Sequence, residues 1–231
     1  MASIKDAIEE TIGETAALKK FLLYAIPIYI TYWLFSIGNM SWCFTVGFFT
    51  ILMLLTIFEK AFHNIRNEKN YILEPLNIFS YIYSSTKVLF AFGPMFGICY
   101  WIGIKLVSLE IPIPLPNIQL IYTIIVWTLL GSIVITSLLN YAKTEKVKDA
   151  YDIVLISNTC IDILLAAVFY IPQAAIVNIL FLGIFAYVFG ILWYLTNPVF
   201  IFLCCITLAF NMVVAGHYFA QFDYENFAQK D

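Results

Sequence analysis

Asp162 stands inside an apolar block, Ile153 to Ile171, with Asn158 four residues before it. Ionisable residues deep in such a block often mark ion, proton or substrate paths. On a helix the two residues share a face. Together they could form a hydrogen-bonded polar patch, and a buried carboxyl there would suit proton carriage. Two plainer readings compete. One is a polar contact between helices; the other is an interfacial helix with Asp162 facing water.

A second pair lies near the end of the chain. His217 and Gln221 are four residues apart and share a face, at what reads as a membrane edge. The plain reading is an interfacial hydrogen-bonding histidine. Asn211 precedes it in the same block, and Asn178 lies in the block before. The other histidine, His63, falls in a polar stretch far away. Two distant histidines without an acidic cluster argue against a metal site, and no cofactor is expected. Gly93 and Gly97 form a G-x-x-x-G, which lets helices approach closely. Gly93-Pro94 could also kink or break its helix.

Five cysteines, Cys43, Cys99, Cys160, Cys204 and Cys205, all lie in apolar blocks and form no C-x-x-C. They read as small hydrophobes. There is no G-x-x-x-x-G-K-[ST], no H-E-x-x-H and no G-x-S-x-G. The chain therefore reads as non-enzymatic. It has no basic tract, so nucleic acid is not expected as a partner.

The elements that carry these residues are membrane-length. Charged residues make up 12% of the chain, about half the usual share of a soluble domain. That is too little to cover a surface facing water. The lipid bilayer is thus the first expected partner. Residues 1–20 read as an amphipathic cytoplasmic helix. Ser3 caps it with Asp6 three positions on, and Ile4, Ile8, Ile12 and Ala16 form its stripe. Residues 21–219 read as the transmembrane domain and 220–231 as a polar tail. The expected spans are about Phe21–Ile37, Trp42–Phe58, Val88–Leu106, Leu120–Asn140, Ile153–Ile171, Ala174–Leu195 and Val199–Phe219. Glu59 to Asn77 reads as a polar loop, and Phe79 to Lys87 as an aromatic stretch along the interface. Ile111 to Pro116 alternates proline with apolar residues and reads as extended. Pro172-Gln173 and Thr196-Asn197-Pro198 read as turns.

Lysine and arginine recur in every second connection: Lys5, Lys19 and Lys20; then Lys60, Arg66 and Lys69; then Lys143, Lys146 and Lys148. The positive-inside rule places these on the cytoplasmic side of a cell membrane, with the N-terminus inside. Seven spans put the C-terminus outside. Six spans, with Ile153 to Ile171 lying in the interface, put it inside.

Two stretches carry a likeness. Phe62-His63-Asn64-Ile65-Arg66-Asn67 runs into Leu73-Glu74-Pro75-Leu76-Asn77, and Gly216-His217-Tyr218-Phe219-Ala220-Gln221 closes the last block. In these stretches the chain resembles uncharacterised prokaryotic multi-spanning integral membrane proteins. The resemblance implies a polar loop after an opening hairpin, and leans toward six spans with both termini inside. It implies no catalytic residue.

The sequence thus predicts an all-α polytopic transmembrane helical bundle of about seven spans, or six plus an interfacial helix. The expected function is a membrane-embedded scaffold or accessory subunit, with a membrane protein partner or a homo-oligomer. The alternative is a transporter or permease component using Asp162 and Asn158.

Overall fold

The computed structural model describes residues 3–73, 78–109, 117–188 and 198–227, and all regular structure among them is helical. The elements are α1 (Ile4–Gly13), α2 (Ala17–Ser36), α3 (Met40–Arg66), α4 (Ile78–Val107), α5 (Ile118–Thr144), a 3-10 turn (Val147–Tyr151), α6 (Ile153–Val188) and α7 (Pro198–Phe227). Five of them, α3 to α7, are long and apolar enough to cross a membrane. In α2, Lys19, Lys20 and four tyrosine or tryptophan side chains dilute the hydropathy of a 20-residue helix. The class is therefore an all-α, polytopic helical bundle. The expected Ile111–Pro116 segment, the Thr196-Asn197 turn and the end of the tail lie outside the described residues.

The chain divides into two compact units. Unit 1 comprises residues 1–85 and 169–231, and unit 2 comprises residues 86–168. Helices α4 and α6 contribute to both.

Several elements differ from the sequence expectation. No turn occurs at Pro172-Gln173, because α6 runs unbroken through Pro172 for 36 residues. A proline removes one helical hydrogen bond and crowds the preceding turn, yet membrane helices absorb that loss locally. The two spans expected there are one helix, about 54 Å long at 1.5 Å per residue. Likewise α4 continues through Pro94 and takes in the aromatic stretch from Ile78. Helix α3 runs on to Arg66, so Glu59 to Arg66 is helix, not loop. The N-terminal helix stops at Gly13, and α2 begins at Ala17 after Ala16 takes a left-handed φ of 59°. Helix α7 extends through Gln221 to Phe227 into the expected tail.

The local signals explain the ends that were legible. Ser3 Oγ accepts from the Asp6 N–H at 3.3 Å, capping α1. Asn39 Oδ1 accepts from the Trp42 N–H at 3.5 Å, starting α3. Between α2 and α3, Gly38 turns the chain at φ +74°, a conformation that suits a residue without a Cβ. Asp152 Oδ1 accepts from the Leu155 N–H at 3.0 Å and caps α6.

Unit 1 is organised by the packing of α3 against α7. Phe21, Tyr24, Ile57, Ala61, Ala209 and Val213 form its core. Helices α2 and α3 are tied through Pro27, whose carbonyl accepts from Thr31 Oγ1 at 2.9 Å and from Thr50 Oγ1 at 3.3 Å. In unit 2, Ser137 Oγ donates to the Ala150 carbonyl at 2.7 Å and fastens the 3-10 turn to α5. Tyr151 Oη donates to the Phe90 carbonyl of α4.

Candidate functional site

The polar chemistry of unit 1 gathers where α1 meets the ends of α3 and α7. Ser3 N–H donates to Gln221 Oε1 at 3.1 Å. That bond turns the Gln221 amide nitrogen toward His217 Nε2, 3.2 Å away. The same Nε2 lies 3.2 Å from Glu10 Oε2. The two contacts exclude one another. A ring without a proton on Nε2 accepts there from Gln221, whereas a ring with Nε2–H, neutral or charged, donates there to Glu10. His217 is 1% exposed. Its ring lies against the Ala7 backbone, and Nδ1 makes no hydrogen bond among the described residues. The predicted pairing of His217 with Gln221 is therefore present, but α1 covers it.

Two further ties hold the same end together. Arg66 Nε donates to Asp223 Oδ2 at 2.7 Å, joining α3 to α7. Lys20 Nζ donates to Glu14 Oε1 and to the Leu73 carbonyl, both at 2.6 Å. Leu73 N–H in turn donates to Glu14 Oε1 at 3.1 Å. One ion pair thus fixes the connection between α1 and α2 and the chain beyond α3.

Beneath α1 lies a cavity of about 320 Å³. Ile8 and Ile12 of α1, Phe21 of α2, Phe181 of α6, and Ile206 and Phe210 of α7 line it. The stripe predicted on the N-terminal helix supplies the first two. Two polar residues, Asn178 and Thr207, reach its wall. Both are satisfied within the protein. Asn178 Nδ2 donates to the Ala174 carbonyl at 2.7 Å, and Thr207 Oγ1 to the Leu203 carbonyl at 2.9 Å. Asn178 and Asn211 also exchange amide hydrogen bonds, at 3.2 Å and 2.8 Å, linking α6 to α7. Replacing Asn178 and Asn211 by leucine, singly and together, should reveal a coupling of about 1 kcal/mol. A double-mutant cycle on unfolding in detergent measures it.

Asp162 and Asn158 lie one turn apart on α6, in unit 2. Asp162 is half-buried and Asn158 exposed. Among the described residues, neither side chain makes a hydrogen bond or ion pair, with the other or with a third group. The neighbouring Thr159 and Ile163 are buried.

The predicted glycine pair on α4 has no helix against it among the described residues. A Cβ on Gly97 would meet nothing within 4 Å, and one on Gly93 only Leu89 of the same helix, at 3.5 Å. Gly97→Ala should therefore be neutral or stabilising by up to about 1 kcal/mol, through helix propensity alone. Its thermal midpoint in detergent reads this. The close approaches are elsewhere. A Cβ on Gly103 would lie 2.7 Å from the Trp127 ring, and one on Gly216 would lie 2.5 Å from the Phe58 carbonyl oxygen. Gly216 and Ala220 have the same small-x-x-x-small spacing as Gly93 and Gly97, so the signal was available on α7.

No group of three or more potential metal ligands occurs among the described residues. Comparisons with family models, curated proteins and solved structures found no match.

Proposed function

We propose that the chain is a non-enzymatic, membrane-embedded accessory subunit that meets another polypeptide through α6. The observation that carries this is the state of Asp162 and Asn158. They sit on a helix long and apolar enough to cross a membrane, without a side-chain partner among the described residues. Polar groups at membrane depth are costly unless they pair. A second polypeptide, or a second copy of this chain, supplies the pairing. By contrast, the polar networks of unit 1 join one of its helices to another. They hold the bundle together.

The contacts also support a topology. Ser3 bonds Gln221, and Arg66 bonds Asp223. The start of α1, the end of α3 and the last turns of α7 therefore meet at one end of unit 1. Five helices are long and apolar enough to cross; counting the 20-residue α2 as a sixth gives an even number of crossings, which returns the chain to its starting side. With the basic residues placed inside, both termini are cytoplasmic. The six-span expectation also put the C-terminus inside, but it laid Ile153 to Ile171 in the interface, a stretch that belongs here to α6 and is counted as a crossing.

Purification from native membranes followed by mass spectrometry tests the subunit reading. A stoichiometric second chain is expected, and it should be lost in Asp162→Leu with Asn158→Leu. A lone monomer would sink the proposal. So would a proteoliposome flux that disappears in Asp162→Asn, which is the result the transporter reading requires.

A further inference from the structure

We propose that the cavity beneath α1 holds one acyl chain of an anionic phospholipid. This goes beyond the subunit reading and does not depend on it, since the cavity lies in unit 1 and the α6 polar pair in unit 2.

Size and lining come first. At about 320 Å³, the cavity is roughly twice one that binds benzene and stays dry. Its wall is aliphatic and aromatic. The two polar residues that touch it donate to carbonyls of their own helices, Asn178 to Ala174 and Thr207 to Leu203. The cavity therefore offers an occupant no unsatisfied side-chain donor or acceptor. Water gains little there, while hydrocarbon loses nothing.

Shape and charge narrow the occupant. Ile12 is 65% exposed, Leu18 68% and Phe181 46%, so the lining continues outward onto the apolar surface. A chain can enter from the bilayer without crossing a polar barrier. Helix α1 then acts as a strap over it. Ile8 and Ile12 line the cavity, while Ser3 is held by Gln221 and Glu10 lies 3.2 Å from His217. Lys20 is engaged by Glu14 and Leu73. Lys19, next to Leu18 at the rim, is exposed and makes no ion pair among the described residues. It is the cation at hand for a lipid phosphate, and lysine near a membrane surface favours anionic headgroups.

The test is photolabelling of the full chain in vesicles of phosphatidylcholine and phosphatidylglycerol. The probe is phosphatidylglycerol with a diazirine on its acyl chain, and adducts are mapped by mass spectrometry. Adducts are expected on the Ile206–Phe210 segment of α7. They should be lost in Val177→Trp and in Ile206→Phe, which fill the cavity from two different helices. Labelling of the exposed Phe169 should persist in both. Lys19→Gln should abolish the preference for phosphatidylglycerol over a phosphatidylcholine probe. If adducts at residues 206–210 match those at Phe169 and survive both filling variants, the site is ordinary annular lipid and the proposal fails. An unchanged headgroup preference in Lys19→Gln overturns the anionic assignment. Should one filling variant unfold, the other decides.

Discussion

Gly216→Ala should destabilise the protein by about 1–3 kcal/mol, and Gly216→Leu by more, because the added carbon has nowhere to go. A Cβ at this position would lie 2.5 Å from the Phe58 carbonyl oxygen, 3.0 Å from Ala61 Cβ and 3.1 Å from the Phe62 nitrogen. Two of these three are backbone atoms, so no side-chain rotation relieves the clash. Helix α7 must then move away from α3. That motion would open the core at Ala61 and Val213, both fully buried. It would also stretch the Arg66–Asp223 bond about two turns further along α7. A small residue is what allows two membrane helices to approach this closely. Thermal unfolding in detergent, followed by the loss of helical signal, measures the effect. A midpoint for Gly216→Ala equal to the unsubstituted protein's, or above it, would mean that α3 and α7 do not cross here.

Lys20→Met should cost roughly 3 kcal/mol, because it leaves the Glu14 carboxylate buried without its counter-charge. The side chains of the pair are 14% and 7% exposed, so water can replace little of the lost partner. The Leu73 carbonyl loses its donor in the same substitution. The double variant Lys20→Met, Glu14→Leu should recover most of the loss, since replacing both members of a buried pair by apolar groups is often close to neutral. Recovery should stop short by about 1 kcal/mol. The Leu73 N–H and carbonyl would both remain without their bonds to this pair, and orphaned backbone groups carry that order of penalty. Full recovery would show that Glu14 and Lys20 serve each other alone and do not hold the chain near Leu73.

How much of this was legible in the sequence depends on whether the signal is local. Apolar block length is local, and it located α3, α5 and α7 to within a few residues at most ends. Caps are local too, and Ser3 stands where its side chain predicts. The proline at 172 was misleading because its cost is set by the surroundings. A polar solvent competes for the freed carbonyl, whereas an apolar one leaves helix as the best option. Glycine spacing has a similar ambiguity. It says that a helix has a small face, but not that a second helix lies against it, which separates Gly216 from Gly97. The cluster around His217 needed contacts across nearly the whole chain. Gln221 was within reach of an i, i+4 argument, but Glu10 and Ser3 were not. The cavity under α1 needed four helices at once, and only its Ile8 and Ile12 edge was visible as a stripe.

The central claim is that α1, the end of α3 and the end of α7 share one side of a membrane. Single cysteines introduced at Lys5, Asn39 and Lys230, in a chain whose five native cysteines are replaced by serine or alanine, test it directly. A membrane-impermeant thiol reagent is applied to sealed vesicles of known orientation. Positions 5 and 230 should label from the same face. Position 39, at the far end of the 27-residue helix α3 and so about 40 Å away, should label only from the other. Labelling of positions 5 and 230 from opposite faces would contradict the account.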